Sequence, residues 1–225
     1  MNKLFISLQN SNLFKGKSLN EIKTLLSKII YNVQSYKENE IIFSPHQLAD
    51  TMGIILSGSI DIEQLSPSGK IIILKRKNSP DLIAEPSLFS KSKYYPSTVA
   101  VYKSAKILLI HKNQLLKLFL IDNDIMLNFL ESVSDSMLIL KHKISILSLN
   151  SIQERIVAFL IHAYKNTNST VITLPFSKKA WAEYINVSRT SLSRELRNLE
   201  IEGIISFDRH TIEIKDLEKL EEILF

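Results

Sequence analysis

The sequence predicts an α+β protein. It has an N-terminal β-roll of jelly-roll type with flanking helices, a long helix suited to dimerisation, and a C-terminal winged helix–turn–helix. Three observations carry this. Between Tyr31 and Ile110, short bursts rich in Ile, Leu and Val alternate with turns built from Ser, Gly and Pro. From Ile125 to Leu149, apolar residues recur at alternating steps of four and three, with no Gly or Pro to break a helix. From Ser177 onward, two short amphipathic patterns, each opened by a serine, precede a hairpin signature. The expected boundaries are 1–121 for a sensor roll, 122–149 for the dimerisation helix and 150–225 for the head.

Taken in order, Ser18 with Glu21 three residues later forms a capping box, which opens a helix through Leu25, Leu26 and Ile29–Ile30. Separate strands are expected at Ile41–Phe43, Gly53–Leu56, Ile60–Ile62, Ile71–Leu74 and Ile107–Ile110. Turns separate them at Ser44-Pro45, at Leu56-Ser57-Gly58-Ser59 and at Ser66-Pro67-Ser68-Gly69. Many short strands at regular spacing suit a barrel or jelly roll. Asn113–Leu120 reads as a short helix, and Asp122 or Asn123 can cap the long one. On that helix Leu130, Met137 and Ile144 form one row, and Met126, Val133, Leu140 and Leu147 the next. So narrow a stripe suits one partner helix better than a globular core, although it can also pack on its own domain. Asn150-Ser151 is the expected hinge. A helix from Ile152 to Tyr164 follows, and a polar Asn166–Thr170 turn leads into Val171-Ile172-Thr173-Leu174-Pro175.

In the head, Ser177 can cap a helix running to Ile185. Asn186 tolerates the left-handed backbone that a tight turn needs, and Val187 anchors that turn. Ser188 caps a second helix from Arg189 to Leu199. Leu192, Leu196 and Leu199 face inward; Thr190, Arg194 and Arg197 face outward, with Arg189 and Ser193 flanking. The small Ala182 lets the second helix cross close to the first. An apolar back with an arginine-bearing front at the start of the second helix is helix–turn–helix chemistry. Gly203 closes that helix. Ile204–Phe207, the turn Asp208-Arg209-His210-Thr211, and Ile212–Ile214 make a wing, and Asp216 caps a last short helix. Arginine matches the O6/N7 edge of guanine, worth about 1–3 kcal/mol per good pair. Arg189 and Arg194 behind a serine cap therefore point to duplex DNA; Arg197 serves equally well as a solvated residue. Ser177, Lys178, Ser188, Arg209 and His210 are candidate phosphate contacts.

Composition narrows the remaining classes. The chain has 225 residues, 45% of them hydrophobic, yet no apolar run approaches the roughly 20 residues of a membrane span. Met1–Phe5 lacks the apolar core of a signal peptide, so the cytoplasm is the expected compartment and no membrane the expected partner. With no cysteine there is no disulfide, no thiolate zinc site and no iron–sulfur cluster. The five histidines, His46, His111, His142, His162 and His210, show no paired ligand spacing, which argues against haem or a metal. No phosphate-gripping glycine loop, cysteine nucleophile or ligand cluster suggests an enzyme. The net charge of +5 is no direct support for DNA binding. Residues 1–150 hold 18 Lys and Arg against 12 Asp and Glu, whereas 151–225 hold 10 against 11. Any case for DNA must be local.

The segments Ala182-Glu183-Tyr184-Ile185-Asn186-Val187-Ser188-Arg189, Ser193-Arg194-Glu195-Leu196 and Glu202-Gly203-Ile204-Ile205 resemble the Crp/Fnr family, the cyclic-AMP-receptor-like bacterial transcription regulators. Weaker echoes are Gly53–Ser59 and Glu85 ahead of Leu88-Phe89. The resemblance spans nearly the whole chain and implies a cyclic-nucleotide-binding-like roll, a dimer helix and a winged head, in that order. It places Arg189, Thr190 and Arg194 at base-reading positions. Thr190 stands where the cyclic-AMP receptor has a glutamate, so a different operator is implied. Family members that bind a cyclic nucleotide carry Gly-Glu and then Arg-Ser around the phosphate. Here the glycine position is Ala84, the Arg-Ser positions are Tyr95-Pro96, and no glycine lies between Gly69 and Gly203. The positions that touch adenine fall on Leu140 and Lys141, and only Glu85 is kept, which argues against a cyclic nucleotide. An unidentified small effector, or none, is the expectation. Its pocket candidates are Glu85, Tyr94, Tyr95, Ser97, Thr98, Leu140 and Lys141, each equally compatible with packing or an exposed loop. The function implied is a homodimeric regulator of a palindromic operator, with RNA polymerase as a further partner. The rival is a metabolite-sensing module whose head docks a protein instead.

Overall fold

The computed structural model of the chain describes residues 2–66, 68–174, 177–208 and 210–224. The backbone divides into two units, Met1–Asp135 and Ser136–Phe225.

In the first unit the strands are β1 (Asn32–Tyr36), β2 (Ile41–Phe43), β3 (Thr51–Leu65), β4 (Ile71–Asn78), β5 (Leu82–Ile83) and β6 (Thr98–His111). Two long strands organise the rest. β3 and β6 run antiparallel, from Thr51 opposite His111 to Glu63 opposite Thr98. The far edge of β6 pairs with β1 and β2, and the far edge of β3 with β5 and β4. The sequence predicted a turn at Leu56–Ser59 between two strands, but the structure carries one strand through it. Gly58 takes a φ of +86°, and the β3–β6 register slips three times between Ile55 and Ile60, so the glycine makes a bulge instead of a turn. A methyl group at Gly58 would lie 2.3 Å from the Ser104 carbonyl oxygen, which leaves room for no other residue.

Ile42, Phe43, Ile55, Ile60, Ile83, Val99 and Ile107 fill the roll. Its end is closed by α1 (Asn2–Gln9), α2 (Leu19–Leu26), α3 (Lys112–Ile121) and the first turns of α4 (Asn123–Leu147). These bury Leu13, Phe14, Ile22, Leu25, Ile125 and Phe129 together. The capping box of α2 is formed, with Ser18 and Glu21 bonded reciprocally. At the start of α4, Asp122 Oδ1 accepts from the backbone amides of Asp124 and Ile125. The Lys17 ammonium reaches both Asp122 and Asp124 at 2.7 Å, and Asn128 Nδ2 donates to the carbonyls of Leu13 and Lys15. The N-terminal segment thus fastens the first half of the long helix to the roll.

The second unit contains the end of α4 and then α5 (Ile152–Thr167), β7 (Val171–Thr173), α6 (Lys178–Tyr184), α7 (Arg189–Ile201), β8 (Ile205–Phe207), β9 (Thr211–Ile214) and α8 (Leu217–Glu222). Ser151 with Glu154 opens α5 by a capping box, and Ser177, Ser188 and Asp216 cap α6, α7 and α8. Asn186 adopts the left-handed backbone in the turn between α6 and α7, with φ 56°. The wing is three-stranded, in the order β7-β9-β8, because the apolar run after α5 adds an edge strand. Trp181, Leu192, Leu196 and Leu199 are fully buried in the core of this unit, beside Ile156, Val157 and Leu160 of α5.

Candidate nucleic-acid interface

The buried leucines of α7 fix which side of the helix meets solvent. With Leu192, Leu196 and Leu199 inside, Arg189, Thr190, Ser193, Arg194 and Arg197 are exposed on the other face. Ser188 Oγ accepts from the Ser191 amide at 3.0 Å and lies 2.8 Å from Thr190 Oγ1, so the first turn of α7 is ordered by its own side chains. Arg194 keeps 70% of its side chain exposed and meets its neighbour Glu195 at 3.4 Å. Arg197 is drawn to Glu200 one turn later.

Three elements meet around a surface cleft of about 480 Å³ lined by Ser177, Lys178, Lys179, Arg189 and His210. Four of these are residues that the sequence singled out. Lys179 was not; the signal for it was the tandem lysine behind a serine cap. Lys178 extends over the Phe207 ring, 4.2 Å from its centroid, and burial pushes its ammonium below the usual lysine range. In the wing, the amides of His210 and Thr211 both donate to Asp208 Oδ1 at 2.7 Å, which holds that carboxyl below the usual carboxylate range. Arg209 lies outside the described residues. A cluster of cations beside the N-terminus of α7 has the chemistry that suits an anion.

Within the roll, Tyr94, Tyr95, Ser97 and Thr98 do not line the groove that Glu85 enters. Tyr95 is a core residue: its ring stacks on Phe43 at 4.5 Å, and its hydroxyl donates to the Thr51 carbonyl at 2.6 Å. Burial pushes that hydroxyl up to about 12. Tyr94 is half exposed, Ser97 and Thr98 lead into β6, and Leu140 and Lys141 are exposed residues of the second unit. Glu85 meets a groove of about 330 Å³ that it shares with Phe89, Phe119, Phe129 and the α4 residues Met126, Leu130 and Val133. The sequence missed this aromatic groove because its parts are far apart along the chain.

The cyclic-nucleotide chemistry of such rolls does not fit these residues. Ala84 holds a left-handed backbone, φ 62°, but carries a methyl group. Glu85 is 3% exposed, and its Oε1 accepts from Lys77 Nζ at 2.9 Å; that ammonium also donates to the Leu82 carbonyl at 2.6 Å. The roll's one arginine, Arg76, is bound through two nitrogens to Asp61 at 2.6 and 2.7 Å and stacks on Tyr102. No guanidinium among the described residues of the roll is left for a phosphate.

Along α4, Leu130, Met137, Leu140 and Ile144 are all more than half exposed. Met126 and Leu147 are half-buried, and Val133 packs against the roll-end cluster. Leu127, Leu138 and Ile139 are exposed too, so the apolar face is broader than the strict two-row seam expected. Spacing suggested no histidine pair, yet the fold stacks His142 on His162.

A β-roll followed by a long helix and a winged helix–turn–helix with a cationic recognition face defines a DNA-binding transcription regulator. The cyclic nucleotide-binding domain family matches residues 33–122, and the Crp-like helix-turn-helix domain family matches residues 154–223. The chain belongs to the Crp/Fnr family. It is 22% identical over 213 residues to the anaerobic regulatory protein of Bacillus subtilis, covering 92% of this chain and 87% of that one. It is 20% identical over 185 residues to the cAMP-activated global transcriptional regulator CRP of Salmonella typhimurium, covering 80% and 88%. It shares its fold with the catabolite activator protein of Thermus thermophilus, with a TM-score of 0.55 at 20% identity, over 95% of this chain and 98% of that one. No helix among the described residues is long and apolar enough to cross a membrane.

Proposed function

We propose that the chain works as a homodimer that reads a two-fold symmetric operator in double-stranded DNA, in the cytoplasm, with RNA polymerase as a further partner. The functional divisions are the roll at 1–121, the dimer helix at 122–149 and the head at 150–225. One observation carries the reading: Ser177, Lys178, Lys179, Arg189 and His210 line a single cleft, and Arg194 is exposed on the same helix as Arg189. In this reading Arg189, Thr190 and Arg194 meet base edges. Ser177, Lys178, Lys179, Ser188, Ser193, Arg197, Arg209 and His210 meet the backbone and fix register. The exposed apolar face of α4 is covered by a second copy, which sets the two recognition helices about 34 Å apart. The roll's signal is a small effector other than a cyclic nucleotide, because Lys77 already holds Glu85 and Arg76 is committed to Asp61. Such an effector acts by shifting the population between two arrangements of the heads.

The test is selection of duplexes by the full chain from a random-sequence pool. The expected result is a palindromic consensus with half-sites about 10 base pairs apart, centre to centre. Affinity for the selected duplex should fall steeply with salt. A pool that stays unenriched, with only weak salt-insensitive retention, would favour a head that docks protein.

A further inference from the structure

His142 lies in the last turns of α4, and His162 in the middle of α5. Their rings stack with centroids 3.6 Å apart and planes inclined by 23°. Within this unit they tie the two helices on either side of residues 148–151. Asn166 Nδ2 meets His162 Nε2 at 3.0 Å, whereas His142 Nε2 is buried with no hydrogen-bond partner among the described residues. His142 follows Leu140 by two residues, about 200° around the helix. The stacked face therefore lies away from the side of the helix that carries Leu140 and Ile144. No group of three ligating side chains is present among the described residues, and two stacked rings cannot aim their in-plane lone pairs at one ion.

We propose that the His142–His162 stack is an acid-sensitive joint. It holds the end of α4 on α5 while at least one ring is neutral, and releases it when both are protonated. Two imidazolium rings in face-to-face contact repel, and the buried His142 Nε2 has no acceptor to which a new proton could donate. The titratable groups beside the pair along the chain are Lys141 and Lys143 on α4 and Tyr164 and Lys165 on α5, with Tyr184 of α6 against Lys143. Lys143 is drawn over the Tyr184 ring at 5.4 Å. Burial holds His142 below the ordinary imidazole range, and the charge of His162 adds to the effect. The sign follows. A base whose packed form resists protonation gives its full stabilisation above about pH 6.5 and loses it as pH falls below that value. Because α5 packs on α7, release of the joint lowers the head's affinity for DNA, a consequence that rests on the function proposed above.

The chain has no cysteine, so Lys141→Cys combined with Lys165→Cys accepts one pair of spin labels per full-length chain, and dilution with unlabelled chain isolates the distance within one copy. The distance between the labels should be longer at pH 5.5 than at pH 8. It should stay constant in a His142→Phe version, which keeps a stacking ring without a proton. A duplex selected at pH 8 should bind the native chain about fivefold more weakly at pH 5.5, relative to the His142→Phe chain. Equal label distances at both pH values, or a His142→Phe chain that opens as the native one does, would overturn the joint. If no duplex is enriched at pH 8, the DNA reading fails by itself, and the label distances still decide the joint.

Discussion

Replacing Arg194 by alanine separates recognition from folding, because this side chain does so little for the fold. It is 70% exposed, and its one ion-pair partner among the described residues, Glu195, lies at 3.4 Å. An exposed pair of that kind contributes about 0–1 kcal/mol to stability, and alanine is the best helix former. The melting temperature and dimer state of Arg194→Ala should therefore match the native protein. Binding is another matter. One bidentate arginine–guanine contact discriminates by about 1–3 kcal/mol. A symmetric dimer loses two, so specific binding should weaken by about 2–6 kcal/mol, or roughly 30-fold to 10⁴-fold. Fluorescence anisotropy on the selected operator and on a scrambled duplex reads this as a collapse of the affinity ratio. Lys179→Ala is the control: it should weaken both duplexes alike and lower the salt slope by about 1 per head. An Arg194→Ala protein that keeps the native affinity and sequence preference would refute base reading by α7.

Two other changes probe the rest of the chain. Met137 is 65% exposed on the broad apolar face of α4, so Met137→Glu should leave the folded monomer intact and drive dissociation at micromolar concentration, measured by sedimentation; a persisting dimer would move the interface elsewhere. Lys77→Met strands a carboxylate that is only 3% exposed and should cost about 3–5 kcal/mol in urea unfolding, most of it recovered by adding Glu85→Leu; a single variant as stable as the native chain would show that the pair is not tightly enclosed.

Much of the molecule was legible because its signals are short-range. A serine followed three residues later by a glutamate makes its own hydrogen bonds, so Ser18 with Glu21 and Ser151 with Glu154 form the boxes that their spacing requires. Ser188 and Asp216 act in the same way, and the left-handed Asn186 is a property of one residue in one turn. The leucine spacing of α7 decided which face is buried, and with it the exposure of Arg189 and Arg194. Where a local signal misled, at Leu56–Ser59, a distant partner was the cause: continuous pairing with β6 turned an apparent turn into a bulge.

The sequence by itself determined the caps, the helix faces and the bounds of the helices in the head. Each of those depends on residue identities within about two helical turns. Only the tertiary structure decided what long-range contact assembles: the cleft that joins Lys178 and Lys179 to Arg189 and His210, and the aromatic groove. The capture of Glu85 by Lys77, the burial of Tyr95 on Phe43 and the stacking of His142 on His162 belong to the same set. These depend on strand register and helix packing, which no spacing along the chain encodes, because the partners approach only after the chain has folded.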